Sequence, residues 1–583
     1  MTARRASLTR AAPSLYSLAL AGLILGPILG PGYLLLRDAV TTPRSYLTDS
    51  ALGLTDAAAR AVPQDAVIAV LSSVVDGGLV VKAILCAALW LAGWGAARMV
   101  AVLLPHAGLG PQLVASTVTL WNPYVAERLL QGHWSLLTGY AALPWIVCAG
   151  VSIRRGRPGG WWALTSCLAA ASLTPTGALL AVVVALVVLA APGGSGRVPS
   201  RLLRTVALFA AASAPWLIAV LGSGSGATSD RAGVAAFASR AEPGLGTLGS
   251  VAGLGGIWNS TAVPDSRTTL YALAGTVLLL AVVACGLPAL LHVRLESAER
   301  GRRLDPVIVA LTALAAAAVL LPALGATGWG LAVGEWAVVH VPGAGLLRDT
   351  QKWVALAVPL YALAAAAGVR ALGSRIRLPG AIPAAAIVAI LLALPDLAWG
   401  VGGALKPVQY PSSWQNVVED LEASAEVGDI AVLPAGMFRK FPYSGDAPVL
   451  DPAPRMLPVD VLQTGQLVVG QASTVGGEGA RAARVEQLLL AGAAPKALAE
   501  EQVRWVLVER TTPGPLGDSR RTLDQLEKSW EDEELALYRI PGDVTDSSAE
   551  GRGLAVATHL LWAILLVGSA LAYAVVRRPH SPE

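Results

Sequence analysis

The sequence predicts an α-helical polytopic membrane protein of about twelve transmembrane helices, with a small α/β domain outside the cytoplasm. The first observation is composition: 54% of the 583 residues are hydrophobic and 14% are charged, with a mean hydropathy of +0.59. Soluble chains of this length are less apolar, so a bilayer must provide much of the solvent. The second is a series of apolar runs of about 20 residues, the length that spans a membrane. The third is one long polar stretch, 402–553, in which strand and helix patterns alternate.

Net charge and cysteine placement exclude several classes of protein. The net charge is +4, and the basic residues lie in short clusters between apolar runs, so nucleic acid is not an indicated partner. All the cysteines lie in apolar segments, which leaves neither a metal-binding nor a disulfide pattern. They are Cys86, Cys148, Cys167 and Cys285. The sequence also has no P-loop, GxSxG elbow, HExxH or Rossmann glycine motif, so chemistry on a soluble nucleotide is not indicated.

The predicted spans follow from the apolar runs in chain order. Eight runs have the length of a complete span: 14–36, 80–104, 203–222, 269–291, 306–324, 353–370, 381–401 and 554–576. Four more are shorter or interrupted: 108–121, 135–152, 161–173 and 177–191. We interpret the last two as separate short helices because Pro175 interrupts the run and basic clusters flank both sides.

The basic residues predict the orientation of these spans. With the helices above, they fall on one side of the membrane, which the positive-inside rule makes cytoplasmic. These residues are Arg4, Arg5, Arg10, Arg98, Arg154, Arg155, Arg157, Arg197, Arg201, Arg204, Arg294, Arg300, Arg302, Arg303, Arg370, Arg375, Arg377, Arg577 and Arg578. Both termini are therefore expected in the cytoplasm, and the protein in the plasma (inner) membrane.

The same orientation predicts three regions. Residues 1–401 form a transmembrane domain with outer loops 37–79, 122–134, 223–268 and 325–352. Residues 402–553 form an extracytoplasmic α/β domain, and residues 554–583 form the last span and a short cytoplasmic tail. Within the outer domain, the patterns predict helices at 414–427 and 484–493 and strands at 429–434, 503–510 and 534–540.

A first group of candidate site residues follows the first apolar run. Arg37 and Asp38 come directly after it, which predicts a position at the membrane–water boundary, and Asp65 lies further along the same loop. A carboxylate there has the chemistry to take a proton from an attacking hydroxyl group. The alternative is that the charged pair only ends the helix.

A second group lies between two apolar runs at 119–145. Glu127, Arg128 and His133 are ionisable residues close to membrane depth, where they are costly and commonly line a cavity or a ligand path. The tryptophans and tyrosines around them match an interfacial aromatic belt, which does not account for the ionisable residues. A structural role for His133 remains the alternative.

A third group lies at 343–361. Arg348 and Lys352 are four residues apart, which predicts two cations on one face at the start of a helix, suited to a lipid-linked phosphate. The alternative is that Asp349 pairs with Lys352 in a structural salt bridge.

Taken together, these segments resemble the GT-C superfamily of membrane glycosyltransferases, especially its actinobacterial members related distantly to arabinofuranosyl- and mannosyltransferases. The resemblance lies in RD (37–38), WNPYVAERLLQGHWSLLTGYAALPW (121–145), LLRDTQKW (346–353), VRWVLVER (503–510) and LALYRI (535–540). It implies a GT-C-like fold and a catalytic base in the first outer loop, which falls on Asp38, with Asp65 as the fallback. It requires no cofactor and leaves a divalent metal undetermined.

The resemblance implies a glycosyltransferase that moves a sugar from a polyprenyl-phosphate donor to a cell-envelope glycan or lipid acceptor. Arg348 and Lys352 would bind the donor phosphate, and Glu127, Arg128, His133 and Asp349 would shape the pocket. Two other classes stay open: a transporter or flippase of lipid-linked sugars, and a non-catalytic scaffold of envelope assembly. A transport site is expected at the middle of the bilayer, whereas these charges concentrate in outer loops.

Overall fold

A computed structural model describes residues 2–56, 59–223, 230–291, 305–376, 380–424, 426–469, 473–544 and 551–576. Its α-helices are Thr2–Leu25, Asp49–Leu52, Gln64–Ser72, Gly77–Leu103, Leu109–Leu120, Pro123–Gln131, Leu136–Arg154, Gly160–Ala171, Pro175–Ala190, Val198–Ala212, Ala214–Ser223, Ala232–Ala236, Gly246–Ala252, Tyr271–Ala284, Leu287–Leu291, Pro306–Gly325, Gly328–His340, Val358–Ile376, Ala381–Ala393, Ala398–Gly403, Ser413–Ser424, Ala453–Met456, Ala480–Leu490, Pro495–Glu500, Arg520–Leu523 and Arg552–Val576. Its β-strands are Tyr33–Leu36, Ala39–Val40, Pro407–Val408, Asp429–Leu433, Phe438–Arg439, Val449–Leu450, Leu467–Val469, Ser473–Val475, Val503–Glu509, Glu527–Glu531 and Leu535–Arg539.

The protein is a multi-pass membrane protein. The described residues contain seven helices long and apolar enough to cross a membrane, or up to nine if each of two bent pairs forms one span. The predicted number of about twelve is not confirmed. Three of the predicted shorter spans are helices of only 12 to 16 residues, Leu109–Leu120, Gly160–Ala171 and Pro175–Ala190. At 1.5 Å per residue, a helix of 12 residues covers only about 18 Å, well short of the hydrocarbon core.

The first span ends earlier than predicted. Its α-helix ends at Leu25, and a 3₁₀ helix, Gly26–Leu29, follows. Pro27 has no backbone N–H to continue the α-helical ladder, and the glycines on both sides of it disfavour a helix. The apolar residues Tyr33–Leu36, predicted as the end of the span, form a β-strand instead.

This strand belongs to a small three-stranded sheet. Tyr33–Leu36 pairs antiparallel with Ala39–Val40 through a tight turn, and with Pro407–Val408 on its other edge. The pair Arg37–Asp38 therefore lies in a hairpin turn and not at the exit of a helix. The backbone of Arg37 has a positive φ of 49° in this turn, a conformation that few residues other than glycine adopt.

Three other predicted segments also differ from the structure. The predicted span 203–222 is a helix pair bent by 66°, and 381–401 is a pair bent by 77°. The predicted loop 325–352 contains a helix, Gly328–His340, which Thr327 caps by accepting a hydrogen bond from Gly330 N. Seven arginines that supported the predicted orientation lie outside the described residues: Arg294, Arg300, Arg302, Arg303, Arg377, Arg577 and Arg578.

The polar stretch 402–553 contains a four-stranded sheet. Asp429–Leu433 runs parallel to Val503–Glu509, which pairs antiparallel with Leu535–Arg539, and Glu527–Glu531 forms the other edge. The three predicted strands are thus observed, and the edge strand is an addition. The predicted helices are observed as Ser413–Ser424 and Ala480–Leu490. Each packs an apolar face against the sheet, with Trp414 on one side and Val485 on the other.

Residues of this stretch contact the segment that follows the first span. Leu450 donates its backbone N–H to the carbonyl of Arg37, 2.8 Å away. The Asp460 carboxylate accepts a hydrogen bond of 2.7 Å from the backbone of Ser50. These contacts hold the α/β region over the Arg37–Asp38 turn.

Candidate functional site

The site is built on the short helix Pro123–Gln131. Asn122 caps its start by accepting a hydrogen bond from Val125 N at 3.1 Å, and Pro123 occupies the first turn, where no N–H is needed. Gly132 ends it in the left-handed conformation, with φ at +87°. Every residue of the helix is buried. Its ionisable residues therefore face protein groups and not solvent.

Gly132 also permits the Arg37–Asp38 turn to lie against the end of this helix. A Cβ atom at Gly132 would collide with the backbone nitrogen of Ala39 and lie 2.6 Å from the carbonyl of Leu36. The backbone N–H of Asp38 donates to the carbonyl of Gln131 at 3.1 Å. Asp38 is thus held beside the helix end and His133.

The Asp38 carboxylate makes two hydrogen bonds through one oxygen. Oδ2 accepts from His133 Nε2 at 2.9 Å and from Gln131 Nε2 at 3.1 Å. Oδ1 makes no hydrogen bond within the part of the chain that the structure describes, and the side chain is 33% exposed. Burial by itself would raise the pKa of Asp38, but its hydrogen bonds to His133 and Gln131 and the charge of Lys352 lower it below its usual value. The carboxylate is therefore ionised at neutral pH, with one oxygen open to a substrate.

The protonation state of His133 follows from its two neighbours. Arg128 Nη1 lies 3.0 Å from His133 Nδ1, and a guanidinium only donates hydrogen bonds, so Nδ1 must accept. The proton of a neutral imidazole then lies on Nε2 and points to Asp38, an assignment made from the hydrogen-bond network. Burial lowers the pKa of His133, which agrees with a neutral ring.

Arg128 is completely buried and pairs with Asp349. Its two terminal nitrogens donate to the two oxygens of Asp349 at 2.8 and 3.3 Å, and Nη2 also contacts Gln351 Oε1. Burial by itself would raise the pKa of Asp349, but the charges of Arg128 and Lys352 lower it to about 2. A buried pair with this bidentate geometry holds the guanidinium in one position.

Lys352 completes the group of charges. Its Nζ lies 3.5 Å from Asp349 Oδ2, which is the salt bridge that the sequence offered as an alternative. The Lys352 side chain is 23% exposed, and its charge acts on Asp38. We name these six residues the Asp38 cluster: Asp38, Arg128, Gln131, His133, Asp349 and Lys352.

Glu127 lies behind the Asp38 cluster and is fully buried. Its oxygens accept hydrogen bonds from the backbone N–H groups of Gly256 and Ile257, at 3.1 and 3.2 Å, and from Gln351 at 3.0 Å. Burial raises the pKa of Glu127 to about 8, against the lowering effect of nearby arginines and of the Ile257 hydrogen bond. Glu127 therefore ties a distant loop to the helix and does not reach solvent.

Two predicted site residues lie apart from the Asp38 cluster. Arg348 donates to Gly345 O at 3.1 Å and stacks over Phe237, with its guanidinium carbon 5.5 Å from the ring centre. Asp349 has a non-helical ψ of 85°, so the predicted helical face that Arg348 would share with Lys352 does not form. Asp65 pairs with Arg455 of the α/β region at 3.1 Å. The carboxylate of Asp65, the fallback base, is therefore paired with an arginine away from the Asp38 cluster.

Sequence reasoning missed Gln131 and Gln351. Gln131 donates to Asp38 and accepts from Asn259 at 2.8 Å, and Gln351 joins Arg128 to Glu127. Neutral amides give no signal in a search for ionisable residues, so their role appears only in three dimensions. No group of three or more histidine, cysteine or acidic side chains among the described residues is arranged to hold a metal ion.

The fold and the Asp38 cluster define a multi-pass membrane protein with an ionised, partly exposed carboxylate at the end of its helical bundle. The fold is similar to that of the arabinofuranosyltransferase AftD from Mycobacteria, solved by cryo-EM. One AftD structure matches with a TM-score of 0.56 and 17% identity over 92% of this chain and 40% of that chain. A structure of an AftD mutant matches with a TM-score of 0.57 and 16% identity, over 92% and 42%.

These matches show that this chain shares the fold of AftD, as the predicted resemblance to arabinofuranosyltransferases implies. This chain spans about two fifths of the length of the solved structures that it matches. No protein-family model and no curated protein matches the sequence.

Proposed function

We propose that this protein is a glycosyltransferase that moves a sugar from a polyprenyl-phosphate donor to a cell-envelope glycan or lipid on the outer face of the plasma membrane. The observation that carries the proposal is the Asp38 carboxylate, which is held ionised by His133 and Gln131, has one oxygen open, and lies near the Lys352 ammonium group. The AftD-like fold supports the class of enzyme, and because AftD is an arabinofuranosyltransferase, an arabinofuranosyl donor is the first to test.

Asp38 acts as the general base in this proposal. Its free Oδ1 takes the proton of an acceptor hydroxyl, whose oxygen forms a bond to the anomeric carbon of the sugar. The bond between that carbon and the donor phosphate oxygen breaks, and the polyprenyl phosphate leaves with the electron pair. The partly exposed Lys352 stabilises the charge that develops on this phosphate.

The other residues of the Asp38 cluster position Asp38. The buried Arg128–Asp349 pair holds His133 in one tautomer, and His133 in turn orients the carboxylate. We assign the donor phosphate to Lys352 before Arg348, since Arg348 contacts Phe237 and Gly345 and not the Asp38 cluster. In this proposal, side chains supply both the proton transfer and the stabilisation of the phosphate.

A transfer assay with matched aspartate variants tests the proposal. Membranes that contain the full chain are incubated with radiolabelled polyprenyl-phosphate arabinofuranose, and label in envelope glycan and lipid is measured. We expect Asp38→Asn to lose about 10²–10⁴-fold in rate, the usual contribution of a positioned base. Asp65→Asn changes the same residue type in the same loop, away from the Asp38 cluster, and should retain activity.

The outcomes separate the three classes of function. Label transfer that survives Asp38→Asn contradicts the role of Asp38 as the base. If the wild-type chain moves labelled lipid between leaflets without transferring the sugar, it is a flippase. If the wild-type chain neither transfers the sugar nor moves the lipid with a panel of polyprenyl-phosphate pentoses and hexoses, the protein is a non-catalytic scaffold.

A further inference from the structure

A polar cavity lies at the opposite end of the helical bundle from Asp38. The helix Leu136–Arg154 begins three residues after His133, and its 19 residues span roughly 28 Å. The cavity opens just beyond its last residue and has a volume of about 260 Å³. Since the hydrocarbon core is about 30 Å thick, the cavity and the Asp38 cluster belong to opposite leaflets.

The walls of this cavity come from three helices and the loop before one of them. They are lined by Arg157, Pro158, Gly159, Trp161, Trp162, Thr165, Arg204, Leu208, Leu565 and Ser569. The set contains two exposed arginines, two tryptophans, two leucines and the buried hydroxyl residues Thr165 and Ser569. None of the lining residues is acidic. The cavity thus combines cationic, indole, hydroxyl and alkyl groups, which suit the phosphate, the interface and the chains of a lipid.

The two arginines are available to a ligand. The guanidinium of Arg204 stacks over Trp161, with 4.3 Å from its central carbon to the ring centre. Cation stacking on a ring face leaves the N–H groups at the guanidinium edge free to donate. Among the residues that the structure describes, neither Arg157 nor Arg204 has a side-chain hydrogen bond or an ion pair. Two exposed cations without counter-charges attract a phosphate group.

Apolar surface continues from the cavity along two of its helices. Leu203, next to Arg204, is 72% exposed, and Ile564, next to Leu565, is 66% exposed. Both lie on helices apolar enough to cross a membrane, alone or as part of a bent pair. A ligand with a phosphate head and alkyl chains would match the cavity and the adjoining helix faces together.

We propose that this cavity is a binding site for an anionic phospholipid of the leaflet opposite Asp38. The phosphate binds Arg157 and Arg204, the glycerol region meets Thr165 and Ser569, and the acyl chains lie along the exposed faces of the helices Val198–Ala212 and Arg552–Val576. The bound lipid joins the last span of the chain to the helices Gly160–Ala171 and Val198–Ala212.

Native mass spectrometry of the full chain tests the lipid site. Delipidated protein in a neutral detergent is titrated with phosphatidylglycerol, phosphatidylcholine or glycerol 3-phosphate. We expect phosphatidylglycerol to bind in preference to the other two. The double variant Arg157→Gln/Arg204→Gln should weaken its binding by roughly 25-fold, about fivefold for each arginine, as each is worth about 1 kcal/mol near an anionic lipid.

The matched control removes the same charge from the same end of the bundle. Arg155→Gln/Arg370→Gln replaces two exposed arginines that do not line the cavity, and it should bind phosphatidylglycerol within twofold of wild type. Equal losses in both double variants, or equal binding of phosphatidylcholine, would overturn the proposal. So would binding of glycerol 3-phosphate as tightly as the lipid, because the site would then recognise only a phosphate. Thermal unfolding of each variant verifies that it is folded, and the assay requires no glycosyl transfer.

Discussion

Asp38 depends on a series of contacts that runs from the surface to completely buried groups. The series passes from Asp38 to His133, then to Arg128, and ends at Asp349. The last two residues are immobile because a buried bidentate ion pair has one good geometry. A neutral His133 links this fixed pair to the Asp38 carboxylate, which is partly exposed to solvent. The position of Asp38 is therefore set by residues about 90 to 310 positions away in the chain.

His133 should make the protein sensitive to mild acid. Burial lowers its pKa below the usual value near 6.5. Because the folded pKa is below the unfolded one, the stability that neutral His133 contributes is complete above about pH 6.5 and is lost as pH falls through the folded pKa. We expect the melting temperature of the wild type to fall from pH 7.5 to pH 5 by more than that of His133→Gln, which keeps a donor and an acceptor but does not titrate.

The pKa of Asp38 is also lowered, but its effect lies in a different range. Its contribution to stability is lost only as pH falls below the usual aspartate value near 4, outside the range tested for His133. Glu127, whose raised pKa also affects stability near neutral pH, is present in both proteins, so the difference between wild type and His133→Gln at pH 5, 6 and 7.5 isolates the histidine. Equal acid sensitivity in wild type and His133→Gln would contradict a buried neutral His133.

Sequence reasoning located most of the Asp38 cluster but not its arrangement. Arg128 and His133 were noticed because ionisable residues beside apolar runs are costly, and Asp349 was noticed as a possible partner of Lys352. Their convergence joins segments more than 200 residues apart, which no local pattern contains. For Arg348 the local pattern was misleading. Its spacing from Lys352 predicted a shared helix face, but the backbone of Asp349 is not helical and separates the two residues.

At the level of elements, the main difference is the end of the first span. An apolar run such as YLLL (33–36) fits a helix or a buried strand equally well, and periodicity alone does not decide between them. The structure makes it a strand because it has two neighbouring strands to pair with, one of them about 370 residues later. This tertiary pairing moves Asp38 from a predicted helix end into a hairpin turn.

Gly132 should be sensitive to the smallest substitution. Gly132→Ala places a methyl group against the backbone of the Arg37–Asp38 turn and also strains a left-handed residue. Gly343→Ala is the matched control, because Gly343 is left-handed too but has open space around its Cβ position. We expect about 1–2 kcal/mol of destabilisation from backbone strain in both variants, and about 1–3 kcal/mol more in Gly132→Ala from the collision.

Thermal unfolding of the two glycine variants in the same detergent measures this difference. The transfer assay adds a second measurement, since Gly132→Ala also moves Asp38 away from His133 and should lower the rate at temperatures where the protein is folded. Equal stability and equal activity of the two variants would mean that the turn does not rest on the helix end as described.

At the scale of the whole molecule, the α/β region covers the segment that follows the first span. Leu450 contacts the Arg37 carbonyl, Arg455 pairs with Asp65, and Asp460 accepts from the backbone of Ser50. The strands and helices of this region were predictable because they are local and strongly patterned. The packing of this region against the hairpin turn was not predictable, because the contacts join residues about 390 to 410 positions apart. A lipid-linked sugar outside the cell reaches Asp38 only if this whole assembly faces outward.

Thiol labelling of two positions tests that orientation. In a variant whose four cysteines are replaced by alanine, Asn416→Cys puts a thiol on the exposed side of the helix Ser413–Ser424, and Ser200→Cys puts one beside the cavity that faces the other leaflet. A membrane-impermeant maleimide should label Asn416→Cys in intact spheroplasts, and Ser200→Cys only after permeabilisation. Because the helix Leu136–Arg154 separates the two faces by roughly a bilayer thickness, both results must hold together. The reverse pattern would place Asp38 in the cytoplasm, where a donor presented on the outer face cannot reach it.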